Sequence, residues 1–335
     1  MRVRILGAGI VGLACADELI RRGHAVEVVD PAPGSGASHA AAGMLSPAGE
    51  LWHGEAELFR LGRESAALWP GYAERLGVAL APTGTVLAGA DAGDVQEIDR
   101  QVLLLAEAGV AVEALTRREL LAREPGLGRV AGGAFLPDDH SVDPRAVVAA
   151  LLRRVPIVGI ASPVTVDCTV IATGAQLPPP WNDLVRPVRG EIIRVRTASA
   201  PATTVRGLVH GEPIYVVPRG ATDEVVVGAT SEEHDADPVV TVEGVFRLLE
   251  AARTLLPGLD RAEFVEAMAR DRPGTPDNLP LIGPVAEGVM LAAGHYRHGV
   301  LLAPLTASLL ADAVESGIVD AAVDPRRFTT DRSVV

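Results

Sequence analysis

Three glycines and one acid near the start of the chain have the types and spacing to hold a dinucleotide. The apolar run Val3-Arg4-Ile5-Leu6 leads into Gly7-Ala8-Gly9-Ile10-Val11-Gly12, and Asp30 stands 18 positions after the last glycine. In a G-x-G-x-x-G turn the first glycine lets the strand turn sharply, and the second leaves room for a pyrophosphate against the backbone. The third lets the following helix pack closely on the strand. A helix over Leu13 to Arg22 would then offer its N-terminal N–H groups and positive dipole end to the phosphates. Asp30 follows the second apolar run, Ala25-Val26-Glu27-Val28-Val29, at the tip of the next strand, where it can accept hydrogen bonds from a ribose hydroxyl. NAD(H) and FAD share the ADP half, so these residues leave both cofactors open.

Other residue types close off chemistry. Every one of the 30 basic residues is arginine. A chain without lysine has no P-loop lysine, no Schiff-base lysine and no Tyr-x-x-x-Lys dehydrogenase pair. Arginine is left as the strong, always-charged clamp for carboxylates. Asp138-Asp139-His140 and Glu232-Glu233-His234-Asp235 look like metal-binding clusters, but both lie in turn-rich polar stretches. They are expected to be solvated loops, with no metal. Cys15 and Cys168 fall in a helix and a strand-like run, as buried small residues; no disulfide framework is expected, and a reducing cytoplasm is.

A net charge of −13 would repel nucleic acid and anionic membranes alike. Asp17 and Glu18 interrupt the only stretch that resembles a signal peptide, and no apolar run approaches the roughly 20 residues of a membrane span. At 335 residues and 48% hydrophobic, the chain has length and core for two domains.

These residues need elements to position them. After the opening β-α-β, a Gly/Ser/Ala-rich loop from Pro31 to Pro47 is expected to close over the cofactor. Helical spacing runs from Glu55 to Leu76, from about Asp94 to Ala108, from near Thr116, from Pro144 to about Arg154, from Val242 to Leu256 and from Pro304 to Glu315. Strands are expected at Gly84–Ala88, near Val112, at Gly133–Pro137, Glu191–Arg196, Pro213–Pro218, Glu224–Gly228 and Val289–Ala293. Val164–Val166 and Thr169–Gly174 read as two strands joined by a tight turn, and the rest of the last third as glycine-rich loops. No internal repeat or low-complexity linker occurs.

Two segments of that last third carry a resemblance. Arg270-Asp271-Arg272-Pro273-Gly274-Thr275-Pro276-Asp277-Asn278-Leu279-Pro280-Leu281-Ile282-Gly283 precedes Gly294-His295-Tyr296-Arg297-His298-Gly299-Val300-Leu301-Leu302-Ala303-Pro304. With the opening fingerprint, the Ala40-Ala41-Ala42-Gly43-Met44 loop, Thr173-Gly174, Tyr215-Val216-Val217-Pro218-Arg219 and Val227-Gly228-Ala229-Thr230, nearly the whole chain resembles the D-amino-acid oxidase superfamily of FAD-dependent amine oxidases. The closest likeness is to its glycine-oxidase group, which serves thiamine (thiazole) biosynthesis.

The resemblance implies an α/β fold, with a Rossmann-type FAD-binding domain interleaved with an α+β substrate domain on an antiparallel sheet. The expected division is 1–80, 138–184 and 266–335 for FAD, and 81–137 and 185–265 for substrate. Non-covalent FAD is implied at Gly7, Gly9, Ile10, Val11, Gly12, Asp30, Ser38, Ala42, Gly43, Met44, Val164, Thr173 and Gly174. It is also implied along His295, Tyr296, Arg297, His298, Gly299, Val300 and Leu301, beneath the flavin. Arg272 is implied opposite the substrate carboxylate with Tyr215 beside it, and Arg297 as a clamp, gate or brace. The implied reaction is oxidative deamination of glycine and other small amines by dioxygen, giving the 2-oxo acid, ammonia or amine, and hydrogen peroxide. A homo-oligomer is also implied.

No histidine or glutamate beside the motif residues suggests a general base. A D-amino-acid oxidase or carrier-linked dehydrogenase of the same fold is the alternative, and an NAD-dependent dehydrogenase a more distant one. Two departures from the group stand out: Pro213 replaces a histidine some members carry two residues before the tyrosine, and the segment between Val164 and Thr169 is short.

Overall fold

A computed structural model of the chain describes residues 1–220, 222–233 and 237–328. The strand Arg2–Leu6 buries Val3 and Ile5 completely and lies at the centre of a six-stranded sheet. The order across that sheet is Leu281–Ala286, Val289–Ala293, Cys168–Ile171, Arg2–Leu6, Ala25–Val29 and Ile157–Val158. All neighbours are parallel except the edge strand Leu281–Ala286, which runs against Val289–Ala293. Parallel strands have both faces covered and so read as continuous apolar runs, as Val26, Val28, Val170 and Ile171 do. The helices Ile10–Arg21, Ala56–Leu76, Pro144–Leu152 and Ala303–Ser316 pack into one apolar core with them.

A second sheet has eight strands, in the order Glu263–Gly274, Arg186–Arg196, Glu224–Gly228, Glu212–Pro218, Thr204–Val209, Thr85–Gly89, Gly132–Leu136 and Glu113–Thr116. Helix Val242–Leu255 packs against this sheet, while Ala92–Glu107 lies over Thr85–Gly89 and Gly132–Leu136. The helix starts are written locally. Asp91 and Asp94 form a reciprocal capping box for one, and Pro144 opens another behind the Asp143 cap. A small three-stranded sheet of Met44–Leu45, His140–Val142 and Leu80–Ala81 anchors the loop that follows the dinucleotide fingerprint.

Several expectations change. The second sheet is antiparallel but for one parallel pair, Thr204–Val209 with Thr85–Gly89. The segment Val164–Val166 is not a strand: Cys168–Ile171, the strand it would pair with, is already flanked by Arg2–Leu6 on one side and Val289–Ala293 on the other. The expected loop before Gly274 is a 12-residue strand, Glu263–Gly274, paired along its length with Arg186–Arg196. The expected boundary at 265/266 therefore falls inside a strand of the eight-stranded sheet. Its sequence hides it because charged residues alternate with small ones, and the partner strand supplies the burial.

Asp138-Asp139-His140 is not a solvated loop throughout, since Asp139 is 2% exposed and accepts a hydrogen bond from Ser46 Oγ at 2.5 Å. No cluster of potential metal ligands occurs among the described residues. In the second cluster, His234 and Asp235 lie outside the described residues.

Candidate active site

The strand ends of the first sheet and one face of the second enclose a cavity of about 1930 Å³. That exceeds the roughly 300–1,000 Å³ of ordinary small-ligand pockets, as an extended dinucleotide with a substrate beside it requires. At one end lies the glycine turn. Gly7 has φ +103°, and its N–H is bonded to Val29 O at 2.9 Å. A Cβ on Gly12 would collide with the carbonyl oxygen of Gly7, so only glycine lets helix Ile10–Arg21 start this close to the strand. Gly12 is thus buried behind the cavity wall and does not line it. Gly9, at the N-cap, offers no side chain to the first-turn N–H groups. Ser38 Oγ accepts the Ile10 N–H at 2.9 Å.

Asp30 is held by the N–H groups of Ala8, at 2.7 Å to Oδ2, and Ala32, at 2.8 Å to Oδ1. Each oxygen keeps a further lone pair for a hydroxyl. Ala42, Gly43, Met44, Thr173 and Gly174 line the same wall. Gly43 has φ +76° and a Cβ there would strike Val142 O, which fixes the loop against the three-stranded sheet. Val164 is not part of this wall: it is 42% exposed, and its carbonyl accepts from Arg4 at 3.2 Å.

His295 to Leu301 form the far wall. Gly294 (φ +72°) and Tyr296 (φ +46°) turn the chain back before helix Ala303–Ser316. The Tyr296 N–H bonds Pro273 O, and Leu301 O accepts from Ser65 Oγ and Trp69 Nε1 at 2.6 and 2.9 Å. His295 Nε2 pairs with Thr306 Oγ1 at 2.9 Å. Burial, reinforced by His298, brings the His295 pKa down to about 3, and burial also lowers that of His298. Both rings are neutral at physiological pH.

The third wall is the face of the eight-stranded sheet, where Arg272 and Tyr215 come from strands separated by two others. A glycine on each intervening strand clears the way. The Arg272 guanidinium lies where a Cβ on Gly190 would stand, and the Tyr215 phenol lies where one on Gly228 would. Arg272 donates to the carbonyls of Arg189 and Thr230 at 3.3 and 3.2 Å and meets no carboxylate among the described residues. The adjacent Asp271 is taken by Arg189 in a two-point pair at 2.7 and 3.0 Å. Burial lowers the pKa of Arg272 and raises that of Tyr215. Arg297 stacks over Tyr296 at 5.1 Å and reaches Ser231 Oγ at 3.4 Å.

Two residues of this wall were invisible to sequence reasoning. Glu50, on the short turn Ala48–Glu50, lines the cavity and pairs with Arg206 at 2.7 Å. Arg206 sits directly opposite Tyr215 in the antiparallel pair of Thr204–Val209 and Glu212–Pro218. The only signal was Glu50's place six residues after Met44, and the strand carrying Arg206 had no apolar alternation to reveal it.

Comparison with known proteins defines the class. Residues 2–313 match the family model DAO, FAD dependent oxidoreductase. The chain belongs to this family of FAD-dependent oxidoreductases.

Among individual relatives it is 33% identical to the glycine oxidase of Geobacillus kaustophilus, covering 93% of this chain and 92% of that protein. It is 34% identical to a putative thiamine biosynthesis oxidoreductase, ThiO, of Rhizobium etli, over 93% and 95% of the two chains. The crystal structure of the Geobacillus glycine oxidase superposes with a TM-score of 0.85 at 32% identity, covering 100% of both chains. The chain is thus an FAD-dependent enzyme of the glycine-oxidase-like group of amino acid oxidases. Its residues fit that cofactor. The bare N-cap at Gly9, the closed packing at Gly12 and the acid at Asp30 form a cradle for the ADP half, and the wall of His295 to Leu301 completes the cavity.

Proposed function

We propose that the protein oxidises glycine and other small amines at the Cα–N bond, with dioxygen as acceptor. The observation that carries this reading is Arg272: a half-buried guanidinium on the cavity wall, beside Tyr215, with carbonyl contacts only. A guanidinium in such a place binds a carboxylate through two parallel N–H bonds, and a tyrosine hydroxyl adds a third donor. FAD, when bound, takes two electrons from the substrate and passes them to dioxygen. Arg272 and Tyr215 hold the carboxylate so that the Cα–H faces the cofactor wall, and the rate comes from orientation and from fixed dipoles in a cavity shielded from bulk water. Glycine loses two electrons and two protons to become the imine; water converts the imine to glyoxylate and ammonia, and dioxygen leaves as hydrogen peroxide.

The supply of the oxidised product to thiamine thiazole synthesis, a cytoplasmic location and a homo-oligomeric state are part of this proposal. The two cysteines are free and buried, and no helix of the described residues is long and apolar enough to cross a membrane. We also retain the division into an FAD-binding and a substrate-binding part, with the last crossing placed after Gly274, where the eight-stranded sheet ends.

Anaerobic mixing with glycine, sarcosine, D-alanine and D-proline tests the reading. Flavin bleaching by glycine or sarcosine, and peroxide on readmission of air, is the expected result. Bleaching without peroxide would make the protein a carrier-linked dehydrogenase, and bleaching by none of the four would overturn amine oxidation.

A further inference from the structure

Among the carboxylates that line the cavity, Glu50 is tied to the arginine opposite Tyr215, and the reaction above gives it no task. Glu50 Oε1 accepts from Arg206 at 2.7 Å, and no described residue donates to Oε2. Burial raises its pKa, yet the charges of Arg206 and Arg297 hold it below the usual carboxylate range, so it is an anion. Its backbone is fixed. Gly49 donates to Ser46 Oγ at 3.1 Å, and Ser46 donates to the buried Asp139 at 2.5 Å. A Cβ on Gly49 would press into both Ser46 Oγ and the Arg206 guanidinium, so only glycine lets the turn sit this close.

Arg206 and Tyr215 are directly opposed across two antiparallel strands, a geometry that brings Cβ atoms to about 5 Å. Glu50, tied to Arg206, therefore stands next to the carboxylate-binding side chains. Its charge acts on Tyr215, on Arg272 and on Arg297.

An amino acid presents a carboxylate and, one carbon away, an amino group. Arg272 and Tyr215 complement the first. We infer that Glu50 receives the second: it is the specificity residue that selects amines over the matching hydroxy acids and plain carboxylates, with Arg206 and the Ser46–Asp139 pair as positioning residues. This rests on the reading that the substrate carboxylate meets Arg272. The free Oε2 accepts an N–H of the amine, while Oε1 stays on Arg206. A hydroxy acid has only one O–H to give and no positive charge, so it gains less from the same carboxylate.

The test uses the FAD-loaded protein and compares glycine with acetate and glycolate. Half-saturation is read anaerobically from the change in flavin absorption, whether bleaching or band shift. Glu50→Gln should weaken glycine at least tenfold and leave acetate and glycolate within twofold. Because removing one partner strands Arg206, the double variant Glu50→Gln/Arg206→Gln is measured alongside and should show the same selective loss.

A second readout separates amine binding from a structural role. A carboxylate favours the protonated amine, so in Glu50→Gln the pH at which turnover reaches its plateau should fall by about one unit. The groups facing Glu50 are Arg206, Arg297, His298, Arg272 and Tyr215. Burial raises the Tyr215 pKa and lowers that of His298, and Tyr215→Phe in the Glu50→Gln background, which removes the phenol as a source, should retain the shift.

Equal weakening of all three ligands, or no weakening of glycine, would overturn the assignment. Arg272→Met decides the underlying reading independently. If acetate binds that variant as well as the parent, the carboxylate site is misplaced, whatever Glu50 does.

Discussion

The two ends of the cavity are built from different materials. The dinucleotide end is made of backbone: glycines at 7, 9 and 12, N–H groups at a helix start, and one acid whose two oxygens are held by main-chain donors. The substrate end is made of side chains from three strands and one short turn, converging across a sheet. The first is contiguous in the chain and tolerates almost no change at its centre. In the second, each group is replaceable in principle, and its position depends on what its neighbours omit. Gly190 and Gly228 matter there because they leave space for Arg272 and Tyr215, not because of any contact of their own.

Substitutions can break this contrast, beginning with the most severe. Gly12→Val places a side chain in the Gly7 carbonyl and the Ala172 methyl, against backbone that cannot yield. The expected product is protein without flavin, insoluble or colourless, as judged by the absorption ratio of flavin to protein. Arg272→Met should instead leave flavin content normal while kcat/KM for the amine falls about 10²–10³-fold, since truncating one side of a buried charged pair costs roughly 3–4 kcal/mol. If Arg272→Met lost flavin too, the two ends would be one structural unit and the contrast would fail.

Gly190→Ala sharpens the comparison further. The new methyl overlaps the guanidinium, a flexible side-chain end, so Arg272 must swing aside rather than the strand unfold. A displacement of about 1 Å can cost roughly 10²-fold. We expect a 10- to 100-fold loss in kcat/KM with flavin content and melting temperature near those of the parent. A variant as active as the parent would mean that Arg272 does not work from its place over Gly190.

The smallest effect concerns pH. The His295 pKa in the folded protein, about 3, lies below its ordinary value of 6.5. Its neutral ring therefore supports the fold fully above pH 6.5, and that support is lost progressively as pH falls from 6.5 towards 3. His295→Gln, which can still reach Thr306, should flatten the acid side of a plot of melting temperature against pH. An unchanged acid slope would remove His295 from the account.

Much of the dinucleotide end was legible because its signal is local. Strand, glycines, helix, second strand and acid follow one another within the first 30 residues, and the backbone has few ways to satisfy that order. The wall from His295 to Leu301 was legible for the same reason, as one run of chain. Val164 was misplaced because the expected hairpin there would need a free edge on Cys168–Ile171, whose two sides are already paired with Arg2–Leu6 and Val289–Ala293. Asp139 was read as solvated because polarity and turn residues surround it, whereas its burial comes from Ser46 and Thr85, far off in the chain.

Residue order thus carried the glycine turn, the absence of lysine chemistry and the proposal of Arg272 and Tyr215 as substrate-side groups. The long strand Glu263–Gly274, the cross-strand seat of Arg206 opposite Tyr215, the glycine clearances and the presence of Glu50 in the cavity emerged on folding. The reason is one of range. A helix start or a tight turn is specified by neighbours in sequence, but register across a sheet is specified by partners remote in the chain, as Thr85–Gly89 is from Thr204–Val209. What a charged side chain does depends on which other charges that register brings beside it: Arg189 occupies Asp271, Arg206 occupies half of Glu50, and Arg272 is left with only carbonyls.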